Sequence, residues 1–128
     1  MRYLGIDYGL RKVGLAISEG QIASPFKVLE VSSLKDVLVK VMRVIEEQEI
    51  DRVVVGVPES GGSAKIVRSF IIALKKVTKA EVIETEETLS SQDAKQLMIG
   101  LGLGQKKRGE EDAYAAALIL QTFLNSLS

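Results

Sequence analysis

The chain has 128 residues, 46% of them apolar, with 17 cationic and 17 anionic side chains and neither histidine nor cysteine. Length and apolar content fit one domain, residues 1–128, around a single substantial core, and the neutral balance neither demands nor excludes a polyanionic partner. Without cysteine or histidine there are no disulfides, thiolate nucleophiles, cysteine zinc sites or imidazole bases, so any catalysis falls to carboxylates, hydroxyls, lysines or a bound ion.

Met1-Arg2 leads directly into Tyr3-Leu4-Gly5-Ile6-Asp7-Tyr8-Gly9, an apolar run ending on an acid and a glycine-bearing turn. Leu10-Arg11-Lys12 then precedes a second run, Val13-Gly14-Leu15-Ala16-Ile17-Ser18. This is the pattern of a β-hairpin with a carboxylate at its rim. Alternation puts Tyr3, Gly5 and Asp7 on one face and Leu4 and Ile6 on the other. Glycine weakens a strand interior unless something approaches closely, so a backbone element is expected over Gly5, reaching the neighbourhood of Asp7. Ile22 to Val31 supplies a third strand, which Pro25 confines to an edge or an entry position. No apolar run approaches the roughly 20 residues needed to span a bilayer, so the expectation is a cytoplasmic protein without membrane association.

Ser33-Leu34-Lys35-Asp36 has capping-box spacing and opens a helix in which Leu34, Val37, Leu38, Val41 and Ile45 recur through about Gln48. The β-branched run Arg52 to Pro58 reads as a strand buried on both faces of a parallel sheet. Ser63 is expected to cap the next helix, with Ile66, Val67, Phe70, Leu74 and Val77 as its apolar stripe. Glu81 to Glu87 is a further strand, and Ser90-Ser91-Gln92-Asp93 opens a short helix to about Met98. The glycines at 100, 102, 104 and 109, together with Lys106-Lys107-Arg108, read as a mobile loop. The last helix, from about Glu110 to Leu127, is apolar on nearly every face and is expected to be the most buried. Three antiparallel strands followed by two parallel ones give an α/β fold, a mixed five-stranded sheet flanked by helices.

In that last helix Asp112 precedes Ala115, Ala116 and Ile119 at i+3, i+4 and i+7, and two alanines permit close approach to a strand. If this stripe lies on the Gly5 face, Asp112 comes toward Asp7. Glu84, Glu86 and Glu87 offer a third acid at the same edge, where α/β sheets bind ligands, and strand pattern alone does not choose among them. Blander accounts exist: a strand-end acid such as Asp7 can bond its own backbone, and Glu110 and Glu111 serve as acids compensating a helix dipole. Converging carboxylates without imidazole or thiolate suit Mg²⁺ or Mn²⁺, and two such ions about 4 Å apart drive phosphoryl transfer by activating water and stabilising the leaving oxygen. A metal-dependent nuclease is the natural reading. Lys106, Lys107 and Arg108, immediately before the acid-bearing helix, are assigned to phosphate contact.

Four segments then acquire a common meaning: Gly5 to Gly9 with Arg11 to Ser18, Val55-Gly56-Val57-Pro58, Glu86-Glu87-Thr88-Leu89-Ser90-Ser91, and Asp112 to Gln121. In this order along the whole chain they resemble the bacterial YqgF family, also called RuvX, the Holliday junction resolvases or pre-16S rRNA nucleases. The resemblance implies a ribonuclease H-like fold and an acidic metal site carried by Asp7, Glu87 and Asp112, and the family motif is what selects Glu87 over its neighbours. It implies an endonuclease on structured nucleic acid, acting on precursor 16S rRNA at its 5′ end during ribosome biogenesis in preference to branched DNA such as a Holliday junction. A non-catalytic RNA-binding assembly factor is the remaining alternative, and a monomer or weak homodimer is expected. The family's Asp-Glu-Arg stands here as Glu86-Glu87-Thr88, so its basic residue is missing and that role falls to Arg11 or Lys107. The loop after Pro58 is also shorter than the family's usual form. Arg11 and Lys12 join Lys106, Lys107 and Arg108 as candidates for nucleic-acid binding. ATPases of the acetate kinase, Hsp70 and actin type also open with an acid-and-glycine hairpin, but they need a second domain to enclose the nucleotide.

Overall fold

The structure, a computed structural model, describes residues 1–58, 61–86 and 111–127. The elements are β1 (Arg2–Asp7), β2 (Lys12–Glu19), β3 (Ala23–Glu30), α1 (Leu34–Glu47), β4 (Arg52–Val57), α2 (Gly62–Val77), β5 (Glu81–Glu86) and α3 (Glu111–Ser126). The five strands form one sheet in the order β3-β2-β1-β4-β5. β1 pairs antiparallel with β2, which pairs antiparallel with β3, while β1–β4 and β4–β5 are parallel. This is the mixed sheet expected from the residue pattern. Pro25 sits on the edge strand β3, where the register with β2 skips Phe26: Leu15 faces Lys27 and Ala16 faces Pro25. A bulge beside a proline is a common way to blunt an edge against further pairing.

Strand alternation divides the core into two layers. Leu4, Ile6, Val13, Leu15, Val53, Val55, Val57 and Val82 face α1 and α2, where Val37, Val41, Phe70 and Leu74 complete a branched aliphatic core. Tyr3, Ala16 and Val54 face α3, against Ala116, Ala117, Ile119, Leu120 and Leu124. β4 is buried along Val53–Val57, as its β-branched run predicts.

The helix starts test the capping signals. Ser33 adopts an extended backbone and its Oγ accepts from the Asp36 N–H at 3.0 Å. The return bond reaches one residue further out than the capping box requires, since Asp36 Oδ2 accepts from the Ser32 N–H at 2.9 Å. For α2 the expected Ser63 cap is wrong: the helix begins at Gly62 behind Gly61, whose φ of 95° only glycine adopts without strain. The chain has already turned before Ser63. The expected α2 stripe also needs correction, because the buried residues are Ala64, Val67, Phe70, Ile71 and Leu74. Ile66 lies about 100° around the helix from Val67 and Val77 ends the last turn, so both are exposed. Likewise Leu34 opens α1 exposed, and Val44 takes a buried place.

α3 buries seven side chains, more than the four of α1 and the five of α2, as its all-round apolar pattern predicts. Ala115 is only half-buried, and the inward stripe runs through Ala113, Ala116 and Leu120. The expected strand and helix beyond Glu86, including Ser90 to Met98, and the glycine-rich segment at 100–109 lie outside the described residues. Among the described residues no helix is long and apolar enough to cross a membrane.

Candidate active site

Asp7 ends β1 on the α3 face, half-buried. Gly5, two residues below it on the same face, lies under α3: a methyl group there would come 2.7 Å from Leu120 Cβ and 2.9 Å from the Ala116 carbonyl oxygen. The expected backbone element is therefore in place. A second glycine, which the strand pattern did not single out, brings the acids together. Gly14 is the register partner of Asp7 across the hairpin, and a methyl group on it would overlap the Asp112 carbonyl outright. The first turn of α3 thus rests on the residue directly opposite Asp7, and Asp112, also half-buried, is held at the same rim. The signal was available, because hairpin pairing about a turn centred between Leu10 and Arg11 makes Asp7 and Gly14 partners.

Three helices begin at this rim. Lys12 pairs with Glu30, so β3 ends beside the end of β1 and α1 starts there; α2 follows the carboxyl end of β4, which is parallel to β1; α3 starts on Gly14. Helix N-termini carry partial positive charge, so the rim favours anions, and the carboxyl ends of strands are where such sheets bind ligands.

β5 decides between neighbouring acids. Glu86 pairs with Val57, and Val82 and Val57 both pack into the α1/α2 core, so Glu84 and Glu86 belong to the face away from Asp7. Glu84 is 4.0 Å from Arg68 of α2, and with Glu86, Thr85 and Pro58 they border a hollow of about 180 Å³. Glu86 is therefore not the third acid of the Asp7 face. Glu87, Lys106, Lys107 and Arg108 lie outside the described residues. Among the described residues no three acids form a metal-binding group. Two carboxylates and no softer donor among the described residues of the rim fit a hard divalent cation.

Arg11 and Lys12 are exposed on the β1–β2 turn. They border a hollow of about 630 Å³ together with Tyr8, Val31, Ser32 and Leu34. The Tyr8 ring stacks on the fully buried Phe70 at 4.4 Å between centroids and 21° between planes. Burial pushes its phenol pKa above the ordinary value. The turn is tied to the β3–α1 connection by the Val31 N–H, which donates to the Arg11 carbonyl at 2.8 Å. Sequence reasoning missed Tyr8, whose only signal is an aromatic next to the rim acid.

The chain is similar along its whole length to known proteins. The proteins named "Putative pre-16S rRNA nuclease" in Endomicrobium trichonymphae and Desulforudis audaxviator are 35% and 33% identical, covering 97% and 98% of this chain and 95% of each relative. The crystal structure of the fowlpox virus Holliday junction resolvase superposes with a TM-score of 0.71 over the whole of both chains, at 15% identity. The RuvC structure of Thermus thermophilus gives a TM-score of 0.65, covering 99% of this chain and 96% of RuvC, at 16% identity. These likenesses establish the ribonuclease H-like fold. The family model described as RuvX, Holliday junction resolvase, matches residues 1–126, and the chain belongs to the RuvX family.

Proposed function

We propose that the protein is a metal-dependent endonuclease that hydrolyses phosphodiester bonds of structured nucleic acid, with the 5′ end of precursor 16S rRNA as its substrate. The carrying observation is the seating of the first turn of α3 on Gly14, which holds Asp112 opposite Asp7 at the anion-favouring rim of the sheet. The substrate assignment is supported by the name shared by full-length relatives at 33–35% identity. Asp7, Asp112 and Glu87 would hold one or two Mg²⁺ or Mn²⁺ ions. Bound there, such ions supply an activated water and stabilise the departing oxygen. The chain itself contributes rigidity: two glycines let a helix lie directly on the hairpin, so the acids are positioned by backbone rather than by flexible side chains. Arg11, Lys12, Lys106, Lys107 and Arg108 would contact phosphates, and the protein would act in the cytoplasm as a monomer or weak homodimer.

A four-way DNA junction is the second reading, favoured by the description of the family model. The test is incubation with a precursor 16S rRNA fragment and with a four-way DNA junction, each with Mg²⁺, Mn²⁺ or EDTA. Metal-dependent cleavage of the RNA at a defined 5′ position, abolished by EDTA, is expected. Cleavage of the junction alone would transfer the assignment to DNA, and binding of RNA without hydrolysis in any metal would make the protein an assembly factor.

A further inference from the structure

The hollow beside the β1–β2 turn opens on a different side of the rim from the acids. Asp7 faces α3, whereas Tyr8 and Val31, which border the hollow, pack against the core shared by α1 and α2. Its two cations are also uncommitted among the described residues. Arg2, Lys40, Arg52 and Arg68 each lie near a carboxylate, at 3.3, 3.2, 3.1 and 4.0 Å. Neither Arg11 nor Lys12 has an ion-pair partner among the described residues. Lys12 faces Glu30 in the strand register without closing a bridge to it.

The start of α1, on the far wall, is capped at Asp36. Ser33 Oγ caps Asp36, the Asp36 carboxylate takes the Ser32 N–H, and Lys40 Nζ joins that carboxylate at 3.2 Å and the Glu30 carbonyl at 2.7 Å. The full charges that an anion in the hollow meets among its lining cations are Arg11 and Lys12. The near wall is rigid, because Tyr8 is held by the Phe70 stack and the turn by the Val31–Arg11 bond.

We propose that this hollow seats a single-stranded flank of the substrate, so that the phosphodiester chain passes over the β1–β2 turn from the acid face to the α1 face, with Arg11 and Lys12 on its phosphates. This rests on the nuclease reading, and it specifies the substrate further: a duplex with a strand running out of it, rather than a blunt duplex. A chain engaged on both sides of the rim must bend there, and a flexible single strand bends more readily than a duplex.

The experiment uses the full chain carrying Asp7→Asn, so that RNA is not consumed, with Mg²⁺ present. Two labelled probes are compared: a hairpin RNA with a single-stranded flank of about ten nucleotides, within the usual footprint of such grooves, and the same hairpin with a blunt end. Adding Arg11→Ala and Lys12→Ala is expected to weaken binding of the flanked probe on the order of tenfold, and to lower the slope of log K against log salt by about 1.4, near 0.7 per single-strand phosphate. Binding of the blunt probe should change little. Lys75→Ala with Lys76→Ala, removing two charges from the last turn of α2 at the opposite edge, is the matched control and should leave both probes unaffected. Equal loss on both probes, or no loss on either, overturns the hollow as a flank site while leaving the nuclease reading standing. Failure of the parent chain and the Asp7→Asn chain alike to bind either probe overturns both.

Discussion

The two faces of the sheet are built to different specifications. Toward α1 and α2 the strands present Leu4, Ile6, Val13, Leu15, Val53 and Val55, all fully buried, and the helices answer with Val37, Val41, Phe70 and Leu74. Toward α3 they present Gly5, Gly14, Ala16 and Gly56 beside Tyr3 and Val54, and the helix answers with Ala113, Ala116, Ile119, Leu120 and the carbonyl of Asp112. The first face maximises buried apolar volume, and the second minimises the distance between backbones. The α3 face gives up strand side-chain volume so that a helix terminus can be placed beside a strand end.

The largest effect that tests this division is expected from the acids. Asp7→Asn, Asp112→Asn and Glu87→Gln each keep shape and remove the charge that would coordinate an ion, so cleavage should fall by orders of magnitude. A double variant should be scarcely worse than either single, because the groups act as one unit. Glu86→Gln, on the α2 face, should lose far less. In differential scanning calorimetry the parent chain should gain melting temperature with Mg²⁺ or Mn²⁺, by up to about 2.7 kcal/mol of stabilisation at a hundredfold excess over Kd, and Asp7→Asn should lose most of that response. A Glu86→Gln chain as inactive as Glu87→Gln would place the wrong acid in the site.

A smaller effect separates the faces directly. Leu74→Ala removes a fully buried side chain from the α1/α2 core and should destabilise by about 2–5 kcal/mol, with specific activity retained below the melting transition. Gly14→Ala forces α3 off the hairpin and should cost about 1–3 kcal/mol in stability, yet lose most of the activity. Denaturant melts paired with turnover at a temperature where both chains are folded would decide it; the same ratio of activity to stability loss in both variants would erase the distinction.

The smallest effect lies at the start of α1. The Ser32 N–H and Lys40 hold the Asp36 carboxyl below its usual pKa. A lowered folded-state pKa gives stability that is present above the ordinary carboxylate value and lost as pH falls through the folded one. Acid titration of the melting temperature should show this loss in the parent and not in Asp36→Asn, and identical curves would leave the Asp36 clasp without energetic weight.

Much of the fold could be read from local pattern. Alternation in Tyr3 to Asp7 identified the face that α3 covers, the β-branched run at Arg52 to Val57 marked a doubly buried strand, and Ser33 marked the start of α1. The misreadings share one cause. Ser63 has a capping residue's chemistry, but Gly61 had already turned the chain, and Ile66 has a core residue's chemistry on a helix that meets its neighbours along one stripe only. In both cases an identity was read correctly and its surroundings were not.

By itself, then, the sequence determined most of the described elements, the exclusion of imidazole and thiolate chemistry and the glycine-bearing face of β1, because period-two and period-3.6 patterns and the absence of histidine and cysteine are properties of neighbouring residues or of composition. Only the tertiary structure decided that Gly14 is the seat of α3, that Glu86 belongs to the α2 face, and that Arg11 and Lys12 border a hollow walled by Tyr8 and the start of α1. Each of these depends on strand register and on helices meeting across the sheet, where residues far apart in the chain are brought together by packing that no local pattern encodes.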